Sequence, residues 1–370
     1  MKNNCLSRKS VIVLVLIPVI CGFFSLCVGR YFIPVGDVFR ALFCGVGDFD
    51  SKICVVLWNI RLPRVLMALI VGAGLSVAGC VFQSLFANPL ATPDTLGIAS
   101  GSSFGAVLGI LLGFANVGIM FFSFCFGVIG VFLSYLGSFT SGKRLGHGSL
   151  LEKLKNLFSQ ENNRSTIILA GIMISSLFSA LISLVKYLAD SETVLPNITY
   201  WLMGSFASSS YKQIAFGLPV IFVGIFVLFV LRWRLNLLIL SRDEAVSCGV
   251  NVFALRLVAV ICGSAITAAC VSMCGQVGWI GLIVPHLCRM KFGNNHIKLI
   301  PACVCVGSGF MVITDCFARS LSASVGTKKL ETFLRSDKKP HYDWSSVVRF
   351  LLFWSKNLLM RKFCKIAGFC

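Results

Sequence analysis

The stretch "TLGIASGSSFGAVLGILLGFANVGIMFFSFCFGVIGVFLSYLGSFTSG", residues 95–142, contains no Asp, Glu, Lys or Arg over 48 residues. As a helix rising about 1.5 Å per residue it would be roughly 72 Å long, enough to cross a hydrocarbon core of about 30 Å twice. A second uncharged run covers residues 257–288. Because helices satisfy their own backbone hydrogen bonds in lipid, both runs predict an all-α, polytopic integral membrane protein.

The composition of the whole chain supports this class. Hydrophobic residues make up 57% and charged residues only 13%, whereas soluble domains carry about 25% charged residues. The net charge of +19 lies mostly in short segments between apolar runs, which is the pattern that orients membrane proteins rather than one that binds nucleic acid. The 17 cysteines include no Cys-x-x-Cys pair, so we interpret them as small apolar helix residues and expect no metal and no directly bound cofactor.

The apolar runs predict nine helices that enter the membrane, one of them shorter than the rest. They are residues 11–29, 63–83, 95–113, 117–139, 165–188, 213–231, 252–274, 279–291 and 298–320. A polar outer loop is expected at 30–60 and a short outer helix near 195–206. Basic residues before Val11 predict a cytoplasmic amino terminus. The basic loop 140–164 follows four crossings and is also predicted to be cytoplasmic, in agreement with that start.

Small residues recur at spacings that bring helices close together. Gly101, Gly105 and Gly109 are four residues apart, and Gly72 begins a similar series in the second predicted span. In lipid such faces let two helix backbones approach and pack. These glycines are therefore predicted to be packing positions, with no implication for the transported substrate.

Two arginines, Arg61 and Arg64, precede the second span with Pro63 between them, and the predicted topology places them on the outer face. One interpretation is that they anchor the helix at the membrane surface. The other is that their guanidinium groups bind carboxylates of an extracytoplasmic protein. Farther along, Lys186 and Asp190 are four residues apart, a spacing that predicts an ion pair.

The segment "SRDEAVSCGVN", residues 241–251, has features of a short helix on the inner side. Asp243 and Glu244 suit the positive end of a helix dipole, and Gly249 can end the helix in a left-handed conformation. An ordinary capped loop helix would show the same pattern.

Residues 61–101, which begin "RLPRVLMALIVGAG" and include "NPLATPDTLGIASG", resemble the signature region of the FecCD-type, BtuC-like permeases. These are the membrane subunits of ABC importers for iron-siderophores, haem and cobalamin. Four further stretches resemble the same family: "YWLMGSF" at 200–206, "SRDEAVSCGVN" at 241–251, "GQVGWIGLIVPHLCR" at 275–289 and "DCFARSL" at 315–321. The resemblance covers about residues 10–322 and implies the type II ABC importer permease fold, with nine to ten transmembrane helices.

The resemblance implies an assembly of several proteins. It consists of an extracytoplasmic substrate-binding protein, two copies of an ABC ATPase, and a second permease copy or a homologous permease. Glutamates on the binding protein would meet the outer arginines, and the inner segment would be the helix that couples to the ATPase. The implied docking residues are Arg61, Arg64, Arg319, Trp201 and Gly204, and the implied coupling residues are Arg242, Asp243, Glu244 and Gly249. Since the chain contains no G-x-x-x-x-G-K-[ST] motif, ATP must be used by a separate subunit.

The expected function is import of iron(III) chelates across the cytoplasmic membrane without covalent chemistry. Import of cobalamin or haem by the same mechanism is an alternative. A secondary carrier is a further alternative, although it would need charged coupling groups that the spans almost entirely lack. We expect a permease domain over 1–322 and a divergent basic tail over 323–370. Residues 345–360 of that tail contain Arg349 and Lys356 and would make a poor last span, so a transport-impaired subunit is the remaining alternative.

Overall fold

A computed structural model describes residues 7–29, 33–43, 51–141, 164–239, 244 and 247–335. All regular secondary structure in these ranges is helical. We label the α-helices in chain order: α1 Arg8–Cys27, α2 Val35–Phe43, α3 Ser51–Val55, α4 Leu62–Leu85, α5 Ile98–Leu111, α6 Asn116–Ser141, α7 Arg164–Leu188, α8 Val194–Leu202, α9 Tyr211–Val230, α10 Arg232–Leu235, α11 Val252–Cys274, α12 Ile280–Phe292 and α13 His296–Arg335. A π-helix, Val56–Arg61, joins α3 to α4, and 3₁₀ turns cover Pro93–Leu96 and Asn236–Ile239.

Seven helical segments in these ranges are long and apolar enough to cross a membrane. They are Arg8–Cys27, Ile53–Leu85, Asn116–Ser138, Ser165–Leu188, Tyr211–Val230, Val252–Cys274 and His296–Ser320. The prediction of an all-α, polytopic membrane protein is confirmed. The shorter apolar helix α5 and the short helix α12, which ends with Arg289 and Lys291, bring the helices that correspond to predicted ones to nine in the described part of the chain.

The third predicted span, 95–113, was too long. Pro93 starts a 3₁₀ turn, and Gly97 adopts φ 73°, a left-handed conformation, before α5 begins at Ile98. The helix that follows has 14 residues, which corresponds to about 21 Å. This is shorter than the hydrocarbon core of about 30 Å, so α5 does not span it alone.

The expected outer loop at 30–60 is also incorrect for the residues that the structure describes there. The ranges 33–43 and 51–60 are mostly helical, and α2 buries Val38 and Ala41. The indole Nε1 of Trp58 donates a hydrogen bond to the carbonyl of Ala41 at 3.1 Å. Buried and exposed residues lie on different faces of these helices. The helices are therefore amphipathic and pack onto the bundle.

Helices α4 and α11 form the centre of the bundle. In their apolar windows 83% and 72% of residues are buried, compared with 22% for α7. Gly74 of α4 lies against Cys270 and Ile266 of α11, so the two helices meet at a small residue. The outer helices, α7 above all, keep apolar side chains exposed.

The predicted packing glycines lie at close helix contacts. A methyl group placed on Gly101 would lie 2.5 Å from the carbonyl oxygen of Phe126 in α6. One placed on Gly105 would meet the carbonyl of Phe122, and one on Gly109 would approach Ile119 at 3.2 Å. Gly72 of α4 is packed in the same way against Gly307 and Met311 of α13.

The chain divides into two compact units, Met1–Ser320 and Leu321–Cys370. All the packing given above belongs to the first unit. In the second unit the structure describes helical backbone over residues 321–335. The predicted weak span, 345–360, lies outside the described residues, and the boundary at 322/323 stays a prediction.

Within the first unit, α4 and α13 run in opposite directions between two polar ends. Arg64, near the start of α4, contacts Asp315, while Ser84, near its end, contacts His296 at the start of α13. We name the end that carries Arg61, Arg64 and Arg319 the arginine end, and the opposite end the histidine end.

Candidate functional site

One carboxylate organises the arginine end. The guanidinium Nε of Arg64 donates to both carboxylate oxygens of Asp315 at 3.0 Å, and its Nη2 donates to Oδ1 at 2.7 Å. Arg319, one turn farther along α13, places its Nε 3.1 Å from Oδ2 of the same carboxylate. The charge-assisted bonds to Asp315 fix the guanidinium plane of Arg64, while Arg319 Nη2 donates to Ser25. Asp315 therefore holds together two arginines that come from different helices.

Arg61 lies deeper than the docking prediction requires. It is only 5% exposed, and its Nη1 donates to the carbonyls of Leu26 and Cys27, the latter at 3.2 Å. These carbonyls end α1, where helical acceptors lack partners and a positive charge is favourable. The expectation that Arg61 and Arg64 lie together at the surface is therefore corrected: Arg61 caps α1 from inside the protein.

The cluster still carries surplus positive charge. Among the described residues in direct contact there, Arg64 and Arg319 contribute two positive charges and Asp315 contributes one negative charge, which leaves a net charge of +1. The side chains of Arg64 and Arg319 are 18% and 13% exposed. They therefore retain edges from which further carboxylates can accept hydrogen bonds.

A cavity of about 450 Å³ lies beside Trp201. Its polar lining consists of neutral groups, among them Asn116, Asn197 and Gln213, and its described lining residues carry no charged side chain. Gly204 adopts φ 68° and lies close to the carbonyl of Gln276, so a side chain there would be strained and would collide with backbone. Trp201 and Gly204 thus shape the same corner of the bundle.

The inner segment is only partly described. Arg242 and Asp243 lie outside the described residues, while Glu244 is exposed and its carbonyl accepts a hydrogen bond from Cys248 N at 3.2 Å. Gly249 adopts φ 74°, so the predicted left-handed conformation is confirmed. The following helix, α11, begins with an Asn251 cap whose side chain accepts from Ala254 N at 3.1 Å.

The predicted ion pair between Lys186 and Asp190 is not formed. Asp190 instead accepts hydrogen bonds from the backbone N–H of Thr193, at 2.9 Å, and from its hydroxyl. These bonds lower the pKa of Asp190. Asp190 comes two residues after the last residue of α7, where the turn toward α8 offers closer donors than a lysine one helical turn back.

Two residues with unusual environments were missed by the sequence argument. Trp279 is 73% exposed and adopts φ 71°, a left-handed conformation that is uncommon for a bulky residue. Asp94 keeps an exposed edge, yet the protein around it removes water from its carboxyl and raises its pKa to about 6. The glycines that flank Trp279 and the proline before Asp94 indicate turns, but they do not indicate these environments.

The histidine end carries a polar network that the sequence argument also missed. His296 is 1% exposed, and its ring contacts Ser84 Oγ at 2.6 Å and Asn236 Oδ1 at 2.8 Å. Arg289 Nη2 donates to the same Ser84 hydroxyl at 3.2 Å. Residues 84, 236, 289 and 296 come from four separate segments, so a sequence scan had no spacing that joined them.

Comparison with known proteins gives consistent relatives. The molybdate import system permease protein MolB of Haemophilus influenzae is 39% identical over 311 residues, which cover 84% of this chain and 87% of that protein. The probable iron chelatin transport system permease protein of Helicobacter pylori is 35% identical over 272 residues, which cover 74% of this chain and 77% of that protein.

A solved ABC transporter assigned to the metal-chelate type, in an inward-facing conformation, shares the fold. It has a TM-score of 0.72 and 38% identity, and the alignment covers 85% of this chain and 92% of that one. The FecCD transport family matches residues 16–151 and 153–328, which include the arginine end and the partly described inner segment. The chain therefore belongs to the FecCD transport family and is a multi-span permease subunit of the ABC importer type.

Proposed function

We propose that this permease carries iron(III) chelates from an extracytoplasmic binding protein to the cytoplasm, across the cytoplasmic membrane. The observation that carries the proposal is the arginine end, where two helices bring Arg64 and Arg319 together on the single carboxylate of Asp315 at one extremity of an apolar bundle. Such a cluster suits a partner that presents carboxylates. Two copies of a separate ATPase at the opposite end would supply the work, and the permease would perform no covalent chemistry.

The proposal fixes the orientation of the chain. The arginine end faces outward and the histidine end faces the cytoplasm, together with the amino terminus. Arg64 and Arg319 are then the docking residues, with Arg61 as the internal support that caps α1. Trp201 and Gly204 shape the neighbouring surface, and the segment with Arg242, Asp243, Glu244 and Gly249 contacts the ATPase.

Exposed residues of α7 support pairing with a second permease. Leu169, Met173 and Leu177 are each more than half exposed, as expected for a face that meets lipid or another helix. Ser179 and Ser183 are also exposed, and each donates its hydroxyl to the carbonyl four residues earlier. Small and hydroxyl-bearing residues are typical of contacts between membrane helices, so a second copy or a homologous permease is a suitable partner for part of this face.

The iron-chelate assignment is supported by the iron chelatin permease among the relatives. Molybdate is the second candidate, because the molybdate permease is 39% identical over 84% of this chain. Haem and cobalamin would use the same mechanism. The cavity beside Trp201 is lined by neutral groups and does not distinguish these cargoes, so selection is assigned to the binding protein.

Reconstitution in liposomes with a cognate ATPase and binding protein tests the proposal. Uptake of a radiolabelled ferric hydroxamate should depend on ATP and on the binding protein. Preferential uptake of molybdate, haem or cobalamin would replace the cargo assignment. Uptake without ATP would indicate a secondary carrier. The absence of both uptake and stimulated hydrolysis would indicate a transport-impaired subunit.

The same preparation tests the docking site. Arg64→Gln removes one positive charge from the cluster and leaves Asp315 paired with Arg319. We expect binding of the binding protein to weaken about tenfold, within the range for a partly buried charge pair at an interface, and to depend less on salt. Arg234→Gln is the matched control, because Arg234 is exposed near the histidine end. Equal affinity of the two variants for the binding protein would show that Arg64 has only a structural role.

A further inference from the structure

Five polar residues at the histidine end join four segments of the chain. Ser84 belongs to the last turn of α4, Asn236 begins a 3₁₀ turn, Arg289 lies in the last turns of α12, and Asn295 and His296 start α13. We name this set the His296 node. The direction of several of its hydrogen bonds follows from groups that can only donate or only accept.

The direction of the bonds around Asn236 fixes the histidine tautomer. Asn236 Nδ2 donates to Asn295 Oδ1 at 3.1 Å, so the other amide atom, Oδ1, is an acceptor. Both the backbone N–H and the ring Nδ1 of His296 lie 2.8 Å from that oxygen. The ring nitrogen Nδ1 therefore carries a proton.

The second ring nitrogen contacts α4. His296 Nε2 lies 2.6 Å from Ser84 Oγ, and the hydroxyl is also 3.0 Å from the carbonyl of Cys80. Arg289, already positively charged, donates to the same hydroxyl at 3.2 Å. The Ser84 hydroxyl, which donates to the Cys80 carbonyl, therefore joins α4 to both His296 and Arg289.

Other titratable groups face this network. The thiols of Cys80, Cys288 and Cys303 lie near one another, and that of Cys80 lies near His296. All three cysteines are buried. The described residues contain no set of ligands arranged to hold a metal ion, so we assign the node a mechanical role.

The node is one of three polar contacts between α4 and α13. Arg64 and Asp315 join the helices at the arginine end. Midway, Ser308 Oγ donates to the carbonyl of Leu69 at 2.9 Å, close to the packed Gly72. Ser84 and His296 form the third contact, at the far end. Polar contacts thus join the two helices over most of the 24 residues of α4, a helix about 36 Å long.

Asn236 connects this helix pair to the inner segment. The 3₁₀ turn that it begins ends at Ile239, two residues before the segment 241–251. We propose that the His296 node is a positioning element that couples the Asn236–Ile239 turn, which leads toward the inner segment, to the α4–α13 pair, and through that pair to the arginine end. The inference rests on the proposed function, because it requires an ATPase at the histidine end and a binding protein at the other.

Ser84→Ala and His296→Gln test the node in the reconstituted complex. Both variants should assemble with the ATPase and keep basal hydrolysis, but the stimulation of hydrolysis by loaded binding protein should fall about fivefold or more, a typical factor for coupling between two sites. Cargo moved per ATP should fall in parallel. Ser84→Thr keeps the hydroxyl and should restore coupling.

Thr267→Val is the matched control, because the buried Thr267 hydroxyl donates to a carbonyl of its own helix, that of Gly263, at 2.8 Å. Normal coupling in Ser84→Ala or in His296→Gln would overturn the inference. So would equal loss in Thr267→Val, or failure of Ser84→Thr to restore coupling. If the unmodified complex neither transports nor shows stimulated hydrolysis, the proposed function fails instead, which separates the two outcomes.

Discussion

At the scale of single residues, Asp315 decides how the arginine end is built. Its side chain is 4% exposed, and a buried carboxylate is tolerated only when it is paired and hydrogen-bonded. Arg64 and Arg319 satisfy it from two sides, while Arg61 finds its acceptors at the end of α1. The positive charges are thus held in place by one internal carboxylate and one helix end.

Asp94 gives a pH-dependent prediction. Its pKa is about 6 in the folded chain and 3.8 ordinarily, so the ionised carboxyl destabilises the fold. This cost is absent below about pH 4, grows between the two pKa values and is complete above about pH 6. Asp94→Asn should therefore raise Tm at neutral pH by about 1–2 °C, which for a chain of this length corresponds to roughly 1 kcal/mol after allowance for screening of the exposed edge.

Thermal unfolding in detergent between pH 4 and neutral pH measures this effect. Asp190→Asn is the control, because hydrogen bonds from Thr193 lower the pKa of Asp190 and its ionised form therefore stabilises the fold above its ordinary pKa. That variant should not raise Tm at neutral pH. A Tm difference for Asp94→Asn that stayed constant across the pH range would contradict the account.

At the scale of helices, close backbone contact sets the arrangement of α5 and α6. A methyl group on Gly105 would collide with the carbonyl of Phe122, whereas one on Gly36 of α2 would meet nothing within 4 Å. Gly105→Ala should therefore lower stability by about 1–3 kcal/mol, the usual cost of overpacking. Gly36→Ala should be neutral or slightly stabilising, because alanine favours a helix. Comparable Tm values for the two variants would show that α5 and α6 can separate without cost.

The sequence predicted the long helices well because hydrophobic runs of this length have few alternatives in lipid. Residues 252–274 are helical as Val252–Cys274, and 165–188 as Arg164–Leu188. It failed at 95–113, where turn residues shorten an apolar run. The predicted span 298–320 agrees with the apolar segment His296–Ser320, although the helix itself continues to Arg335. Lysine, leucine and glutamate after Ser320 favour helix whether or not the surroundings are apolar.

At the scale of the whole molecule, the features that the sequence did not predict are contacts between distant parts of the chain. The motifs with Arg64 and Arg319 were recognised, but the partner Asp315 lies 251 residues from Arg64, and no local pattern encodes that pairing. The His296 node likewise joins residues separated by up to 212 positions. Local chemistry indicated which residues were available, and only the fold determined which of them meet.

The central claim is that the arginine end faces outward and the histidine end faces the cytoplasm. A protease recognition site inserted after Gly113, in the turn between α5 and α6, reports the first end, and one inserted after Gly293, in the turn between α12 and α13, reports the second. A methyl group at either glycine would meet nothing within 4 Å, so both turns have room for an insertion. Protease added to intact spheroplasts should cleave the full-length protein at the first site and reach the second only after lysis. Cleavage at the second site in intact spheroplasts, with protection of the first, would contradict the account.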